Sequence, residues 1–549
     1  MNNSVIEHLL SRLYDLGIRD IFGVAGDYAF PIEDAICNGN SMRWIGNCNE
    51  LNAAYAADGY ARIKGMAALS TTFGVGELSA INAIAGSYAE NLPIFHLVGM
   101  PASGVQKSKR LVHHTLGDGD FDVFYQLGQR LACAHTIMTP ENCVTETERL
   151  ITCALKERRP VYIGLPSDYA LMPIQENRDN LSLTKQKSNK ETLDKAVDAI
   201  KEKLIQSNNI CVLPGILSKR LGFADKVQSF INKTGLPYAT MFMDKSILSE
   251  SNPHYVGMYD GKLMTPKVRE FVENSEYVLG IGAMMTDFNT GSFTAKIAPE
   301  KFINIMPEHV EIDSTIYDSI YMEDVLSRLE LILPYKDYNL IKVEGLGEPV
   351  LSDKGEITAQ YLYPCLEKFF QPNDIIIAET GTSSMGLGFA LLPEGAQFHN
   401  QTLWGSIGWA TPAAFGAALA VPERRIILIT GEGSHQLTVQ EISQFARFGL
   451  KPIILVLNND GYLIERLLCN YPEAYYNDLA QWNYHELPKA FGAKDWYCEK
   501  VTTIGQLDNA LKTAGSVNTA SYIEIVTGRY EASDLAQKLK ESKDSLYSF

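Results

Sequence analysis

The segment RRIILITGEGSHQLTVQEISQFARFGLKPIILVLNNDGYLIE, residues 424–465, constrains this chain more than any other. An apolar run ends at Gly431-Glu432-Gly433, a helical pattern follows, and a second apolar run ends at Asn458-Asn459-Asp460-Gly461. This is a strand–turn–helix–strand unit with polar groups at the ends of both strands, where open parallel sheets bind ligands. The Glu432 carboxylate and the Asn459 amide oxygen, 27 positions apart, are hard oxygen ligands. Together with a diphosphate they suit Mg²⁺, which takes few protein ligands and keeps phosphate oxygens and water. Gly431 and Gly433 leave room for backbone to approach phosphate, and the helix that follows offers free N–H groups.

The rest of the chain alternates in the same way. Helical patterns at Val5–Leu16, Leu51–Ile63 and Ser79–Glu90 separate apolar runs at Ile21–Val24, Ala67–Thr71, Pro93–Val98 and Val161–Leu165. That alternation predicts βα units and parallel sheets, an α/β fold. Three blocks follow, 1–173, 192–340 and 356–549, joined by polar or irregular linkers at 174–191 and 341–355. The second block has a helical pattern at Leu193–Ile205 and strand patterns at Ile210–Leu213 and Tyr277–Ile281. In the third, strands are expected at Asp374–Ala378, Arg425–Ile429, Pro452–Leu457 and Tyr522–Val526.

A net charge of −17 argues against nucleic acid or an anionic membrane as a partner. The start, MNNSVIEHLLSRLYDLG, reads as an amphipathic helix and not as a signal peptide. No apolar run reaches the roughly 18 residues of a membrane span. Nine cysteines without a CxxC pair point to reduced thiols in a cytoplasmic protein. Cys37, Cys48, Cys133, Cys153 and Cys211 lie in apolar surroundings and read as core packing.

Four more clusters carry chemistry. Glu50 stands in NCNELNAAYAADGYAR near a strand-to-helix junction, and Asp27 follows a short strand in FGVAGDYAF. His113 and His114 lie in LVHHTLGDGDF, and Glu465 follows Gly461 by four residues. Taken singly, these are a helix-start carboxylate, a turn aspartate, a surface histidine pair and a capping residue. Imidazoles are natural proton carriers at neutral pH. Adjacent histidines in an extended segment point opposite ways, so only one of the pair need face a given pocket.

Together, Asp27, Glu50, the histidine pair, GEG…NN and Glu465 closely resemble the pyruvate decarboxylase family, which includes indolepyruvate and branched-chain 2-oxo acid decarboxylases. The resemblance extends over TTFGVGELSAINAIAGSYAENLP (71–93), TDFNTGSF (286–293), ETGTSS (379–384) and LWGSIGWATPAAFGA (403–417). It implies three doubly wound parallel-sheet domains: pyrimidine-binding, central and diphosphate-binding. It implies thiamin diphosphate and Mg²⁺ as cofactors, and a homotetramer built from dimers with each site between two subunits. The implied reaction is non-oxidative decarboxylation of a 2-oxo acid. The cofactor takes up the electron pair that CO₂ leaves behind, giving an enamine whose protonation releases an aldehyde.

Carried over by resemblance, Glu50 hydrogen-bonds the pyrimidine N1′ and Ile407 wedges the cofactor into a bent shape. The Gly405 carbonyl takes a 4′-amino hydrogen. Thr382, Gly433, Ser434, Asn459 and Ile464 neighbour the cofactor, and Glu432, Asn459 and the Gly461 carbonyl hold Mg²⁺. Asp27, His113, His114 and Glu465 manage substrate and protons. Phe293, Thr380, Ser384, Met385 and Ile464 line the substrate pocket. Phe293 and Ile464 narrow it, whereas Ser384 and Met385 leave room for longer chains.

The chain departs from the family at Glu432, where Asp is usual. One more methylene moves the carboxylate by roughly 1.5 Å. Leu463 replaces a common Thr, and Leu467-Leu468-Cys469-Asn470 replaces a segment often ending in His-Gly. A carboligase using the same enamine is a second reading, and a catalytically impaired regulatory paralogue a third. A nicotinamide dehydrogenase is disfavoured because no G-x-G-x-x-G follows a strand with an acidic residue about 20 positions on.

Overall fold

The computed structural model describes residues 3–39, 41–174 and 187–543. Most of the linker expected at 174–191 falls outside the described residues, while 341–355 carries neither helix nor strand.

Three sheets organise the chain. The first contains β1 (Asp20–Gly23), β2 (Arg43–Gly46), β3 (Ala67–Thr72), β4 (Ile94–Met100), β5 (Ala134–Ile137) and β6 (Val161–Pro166). Its order is β2-β1-β3-β4-β6-β5, and every pairing is parallel. The second is built from β7 (Ile210–Pro214), β8 (Tyr238–Thr240), β9 (Tyr255–Met258), β10 (Tyr277–Ile281), β11 (Phe302–Ile305), β12 (His309–Ile312) and β13 (Thr315–Asp318). Its order is β13-β12-β11-β10-β7-β8-β9; here β12 and β13 form an antiparallel hairpin at one edge. The third contains β14 (Ile375–Ala378), β15 (Gln397–His399), β16 (Ile426–Gly431), β17 (Ile453–Asn458), β18 (Tyr497–Val501) and β19 (Ser521–Val526). It is all parallel, in the order β15-β14-β16-β17-β19-β18. No described helix is long and apolar enough to cross a membrane.

The long apolar runs are the central strands because both faces are covered by helices. The strands without a strong sequence signal are short or lie toward the edges: Arg43–Gly46 begins with two side chains that are not buried, and Ala134–Ile137 alternates. The helix expected from Ser79 starts four residues earlier, at Val75. Gly74 turns the chain with φ +63°, and the Glu77 carboxylate accepts from its N–H at 2.9 Å. A glycine-rich stretch that reads as a breaker is therefore a helix start.

The first and third sheets share one core. Helix Glu50–Lys64 is buried on all sides from Asn52 to Arg62, as is the whole of helix Ala410–Ala420. Both are rich in alanine; Glu50–Lys64 buries polar side chains that are paired, Asp58 with Arg62, and Ala410–Ala420 is apolar nearly all round, as a helix inside a core is. They pack at backbone contact: a Cβ on Gly59 would collide with Ala413, and one on Gly416 with the Ala56 carbonyl. Asp58 anchors the contact, accepting from Arg62 Nε, Trp409 Nε1 and Ser87 Oγ, each at 2.8 Å. Arg62 Nη1 also donates to the Asn400 carbonyl at 2.7 Å.

The cysteines divide otherwise than expected. Cys211 is buried, but Cys133 and Cys153 are only partly so, and Cys37 and Cys48 are exposed. These last two sit at a helix end and in a loop, where apolar sequence neighbours do not imply burial.

Replacing Gly416 by Ala forces two packed helices apart. It should cost about 1–3 kcal/mol, seen as a lower thermal midpoint. Gly505→Ala, where a Cβ meets nothing within 4 Å, is the control. Equal midpoints for the two variants would contradict the packing argument.

Candidate active site

Glu432 opens the helix that follows β16 and is buried. Its Oε1 spans to the next strand end, accepting from the N–H of Gly461 at 2.8 Å and of Asn459 at 3.2 Å. Burial pushes its carboxyl up to about 7, against the pull of those N–H groups. The neighbouring Asn459 Oδ1 is buried and accepts no hydrogen bond. An orphaned amide oxygen beside a carboxylate is a donor set that a hard divalent cation satisfies. The residues present therefore fit Mg²⁺, and the β17 turn holds the longer Glu432 side chain by bonding to its Oε1.

The glycines of this turn serve different ends. A Cβ at Gly433 would run into the Tyr462 ring, and one at Gly461, with φ +139°, into the Arg466 guanidinium. Gly431 instead faces open space, with nothing within 4 Å of a Cβ. Packing accounts for Gly433, and the open approach lies at Gly431. Ser434 follows in the same helix and is buried.

A cavity of about 360 Å³ opens at Ile464 and Glu465, in the helix that follows the second strand end. Thr380, Gly381, Met385, Gly405, Ile407, Ile464 and Glu465 line it from the third sheet's side. Gly405 holds φ +66°, a left-handed turn suited to glycine. Glu379 fixes the segment around it: its buried carboxylate accepts from Gly408 and Ala410 N–H at 3.2 Å each and from Thr380 N–H at 3.1 Å. Burial raises Glu379 to about 7. Ser406 Oγ meets Tyr55 Oη at 2.6 Å, tying the same turn to the first sheet's helices. Thr382 begins a short helix, and Tyr363 Oη donates to its carbonyl at 3.1 Å.

Two expected pocket residues lie elsewhere. Ser384 is buried, with its Oγ donating to the Gly381 carbonyl, and Phe293 is half exposed with φ +58°. Phe288 and Ser292 take the wall in its place. Sequence reasoning also missed Phe242, Asp260 and Leu263 of the central sheet's loops, and Leu535 and Leu539 of helix Asp534–Glu541. The apolar 535, 536 and 539 spacing was a readable signal for that last helix. Leu463 and Leu467 are buried in the same apolar cluster as Met385, Leu535 and Leu539.

A second cluster is built on the first sheet. Asp27 starts a 3₁₀ turn after β1. Its carboxylate lies 2.6 Å from His113 Nε2 and 3.8 Å from His114 Nδ1. Both histidines thus face Asp27, although adjacent side chains in a fully extended segment would point opposite ways. His114 has φ +60°, and that left-handed residue swings both rings to one side, 4.7 Å apart. Tyr28 stacks on His113 at 4.9 Å and meets His114 edge-on at 5.8 Å. Glu50 opens its helix half-buried and makes no hydrogen bond to another described side chain. Burial raises its carboxyl above the ordinary range. A Cβ on Gly76 would stand 3.3 Å from Glu50 Oε1, so the glycine keeps that carboxylate's flank open.

Asp27, Glu50, His113 and His114 are absent from the cavity wall. Within one chain, the expected residues form two separate groups.

Comparison with known proteins follows these divisions. Residues 3–122 match the thiamine pyrophosphate enzyme N-terminal TPP binding domain, 194–327 its central domain and 369–525 its C-terminal TPP binding domain. The chain is 37% identical over 541 residues to an alpha-keto-acid decarboxylase of Mycobacterium avium (strain 104), covering 98% of this chain and 96% of the relative. A protein of the same name from Mycobacterium leprae is 37% identical over 544 residues, with 98% and 95% covered.

Glu379 supplies a test by pH. Its folded proton affinity lies above that of an unfolded glutamate, so the stability this proton contributes is complete below about pH 4.5 and lost as pH rises through about 7. The stability of the wild type relative to Glu379→Gln should fall between pH 5 and 8 by up to ~3 kcal/mol. A difference that stays flat with pH would rule this out.

Proposed function

As this chain belongs to the thiamine pyrophosphate-dependent 2-oxo acid decarboxylase family, we propose that it converts a 2-oxo acid to its aldehyde and CO₂ with thiamin diphosphate and Mg²⁺. Among the site's features, the observation that carries the metal and cofactor reading is the orphaned Asn459 Oδ1 beside Glu432. The proton chemistry is supported by Asp27 and His113, hydrogen-bonded at 2.6 Å, with the His114 imidazole 3.8 Å from the same carboxylate.

Bound thiamin diphosphate supplies the electron sink that a departing CO₂ requires. Glu432, Asn459 Oδ1 and the Gly461 carbonyl hold Mg²⁺, and through it the diphosphate. Thr382, Ser434 and Ile464 would neighbour the cofactor, with the backbone turn through Gly433 approached from its open side at Gly431. Ile407 and the Gly405 carbonyl orient its rings, on a turn that Glu379 keeps rigid. Glu50 shares a proton at the pyrimidine N1′, and burial favours its protonated form. Asp27, His113, His114 and Glu465 bind the substrate and deliver the proton that the aldehyde carbon gains. Phe242, Leu263, Phe288, Leu535 and Leu539 exclude water from the side-chain end of the cavity.

The split of the residues into two groups supports an assembly in which two copies complete each site. We assign 1–173 to pyrimidine binding, 192–340 to the central domain and 356–549 to diphosphate binding, in a homotetramer of two dimers. Nine free cysteines support a reducing, cytoplasmic setting.

Aldehyde release from pyruvate, 2-oxoisovalerate, 2-oxohexanoate, phenylpyruvate and indolepyruvate tests the activity. We expect aldehyde only with thiamin diphosphate and Mg²⁺ together, abolished by a chelator and restored by added Mg²⁺. No aldehyde from any acid, with cofactor bound, would refute the reading. Glu50→Gln should lower turnover by about 100-fold or more while the fold persists; near-normal turnover would remove its assignment. Leu539→Ala should shift kcat/KM toward phenylpyruvate over pyruvate by about 10-fold. An unchanged ratio would take the C-terminal helix out of substrate selection.

A further inference from the structure

The start of the Glu50 helix is held from the other side of the shared core. Glu441, fully buried, lies in the 3₁₀ turn that continues the helix begun by Glu432. Its Oε1 accepts from Asn47 Nδ2 at 2.7 Å, and its Oε2 from Asn52 Nδ2 at 2.8 Å and the Cys48 N–H at 3.4 Å. The side-chain oxygens of Asn47 and Asn52 are both buried without a partner. Two amides that bracket Glu50 in sequence are therefore oriented by this one carboxylate. Asn49 caps the helix by accepting from the Asn52 N–H at 2.8 Å, and Cys48 Sγ meets the Gln440 carbonyl at 3.2 Å. Glu50 itself has no such tether, so its place depends on the bracket around it.

We propose that Glu441 is a positioning residue for Glu50. Its two buried oxygens fix the 47–52 turn so that the Glu50 carboxylate stands where the pyrimidine N1′ requires it. The proposal rests on the assignment of Glu50 to N1′ made above. It also explains why a carboxyl group is buried there: an acceptor with two oxygens takes three donors that no apolar side chain could satisfy.

Exchange of the C2 proton of bound thiamin diphosphate for deuterium, followed by quenching and proton NMR on the holoenzyme, reports this position without turnover. Glu441→Leu strands both amides and should slow exchange by about 10–100-fold, the scale on which a small misplacement costs rate. Mg²⁺ affinity should change by less than about threefold, because Glu432, Asn459 and Gly461 bond to one another and not to Glu441. Glu441→Gln should restore most of the rate, since an asparagine whose oxygen is free can flip to accept from the new amide. In a Glu50→Gln background, Glu441→Leu should slow exchange no further. An undiminished rate in Glu441→Leu, or an equal additional loss in the Glu50→Gln background, would overturn the proposal. A normal rate in Glu50→Gln alone would remove the premise, a result distinct from failure at Glu441. Should Glu441→Leu not fold, Asn47→Ala removes one donor and keeps the carboxylate. It should show the same pattern at smaller amplitude, and a wild-type rate there would equally overturn the proposal.

Discussion

The contact between helices Glu50–Lys64 and Ala410–Ala420 is the constraint on which the rest of the molecule depends. It joins two sheets that otherwise have separate strands and separate outer cores. Its closeness comes from the absence of side chains at Gly59 and Gly416. Its register comes from Asp58, whose two oxygens take a guanidinium N–H, an indole N–H and a hydroxyl from three elements. A buried ion pair contributes little net stability, but breaking one partner costs about 3–5 kcal/mol. Such a network therefore specifies one arrangement more than it strengthens it. That arrangement fixes where Glu50 emerges relative to the turn at 403–409.

Around this contact one device recurs. Glu77 takes the N–H of Gly74, Glu379 those of Gly408 and Ala410, Glu432 those of Asn459 and Gly461, and Glu441 that of Cys48. In each case a buried carboxylate satisfies backbone donors in a turn that no sheet ladder or helix could pair. Irregular backbone near a ligand site is costly to bury unless its polar groups are paired. The carboxylates answer that cost, and burial raises the proton affinity of Glu77, Glu379, Glu432 and Glu441 alike. The turns are thus held without flexible side chains entering the cavity.

Much of this was legible in the sequence because its strongest signals are local. Apolar runs such as Ile426–Gly431 and Ile453–Asn458 are central strands whose buried neighbours leave no alternative. GEG and NN stand at the ends of those strands, where periodicity puts them. The short strands Arg43–Gly46 and Ala134–Ile137 were obscure because pairing, not composition, makes them strands. The shared orientation of the histidine pair was not readable because it depends on one left-handed residue, His114, and no residue type announces that conformation. The cavity's far wall was unreadable for another reason. Phe242, Phe288 and Leu539 come from segments nearly 300 residues apart and meet only in the folded chain. Glu379 and Glu441 were overlooked because a glutamate bonded to backbone carries no motif.

The separation of Asp27, His113, His114 and Glu50 from the cavity at Glu465 and Ile464 also has a meaning for heredity. If two copies complete each site, a chain damaged in the first group and a chain damaged in the second are each inactive alone. Combined in one assembly, they bring an undamaged first half from one chain against an undamaged second half from the other. Two such alleles complement one another within a single locus, whereas two alleles damaged in the same half do not.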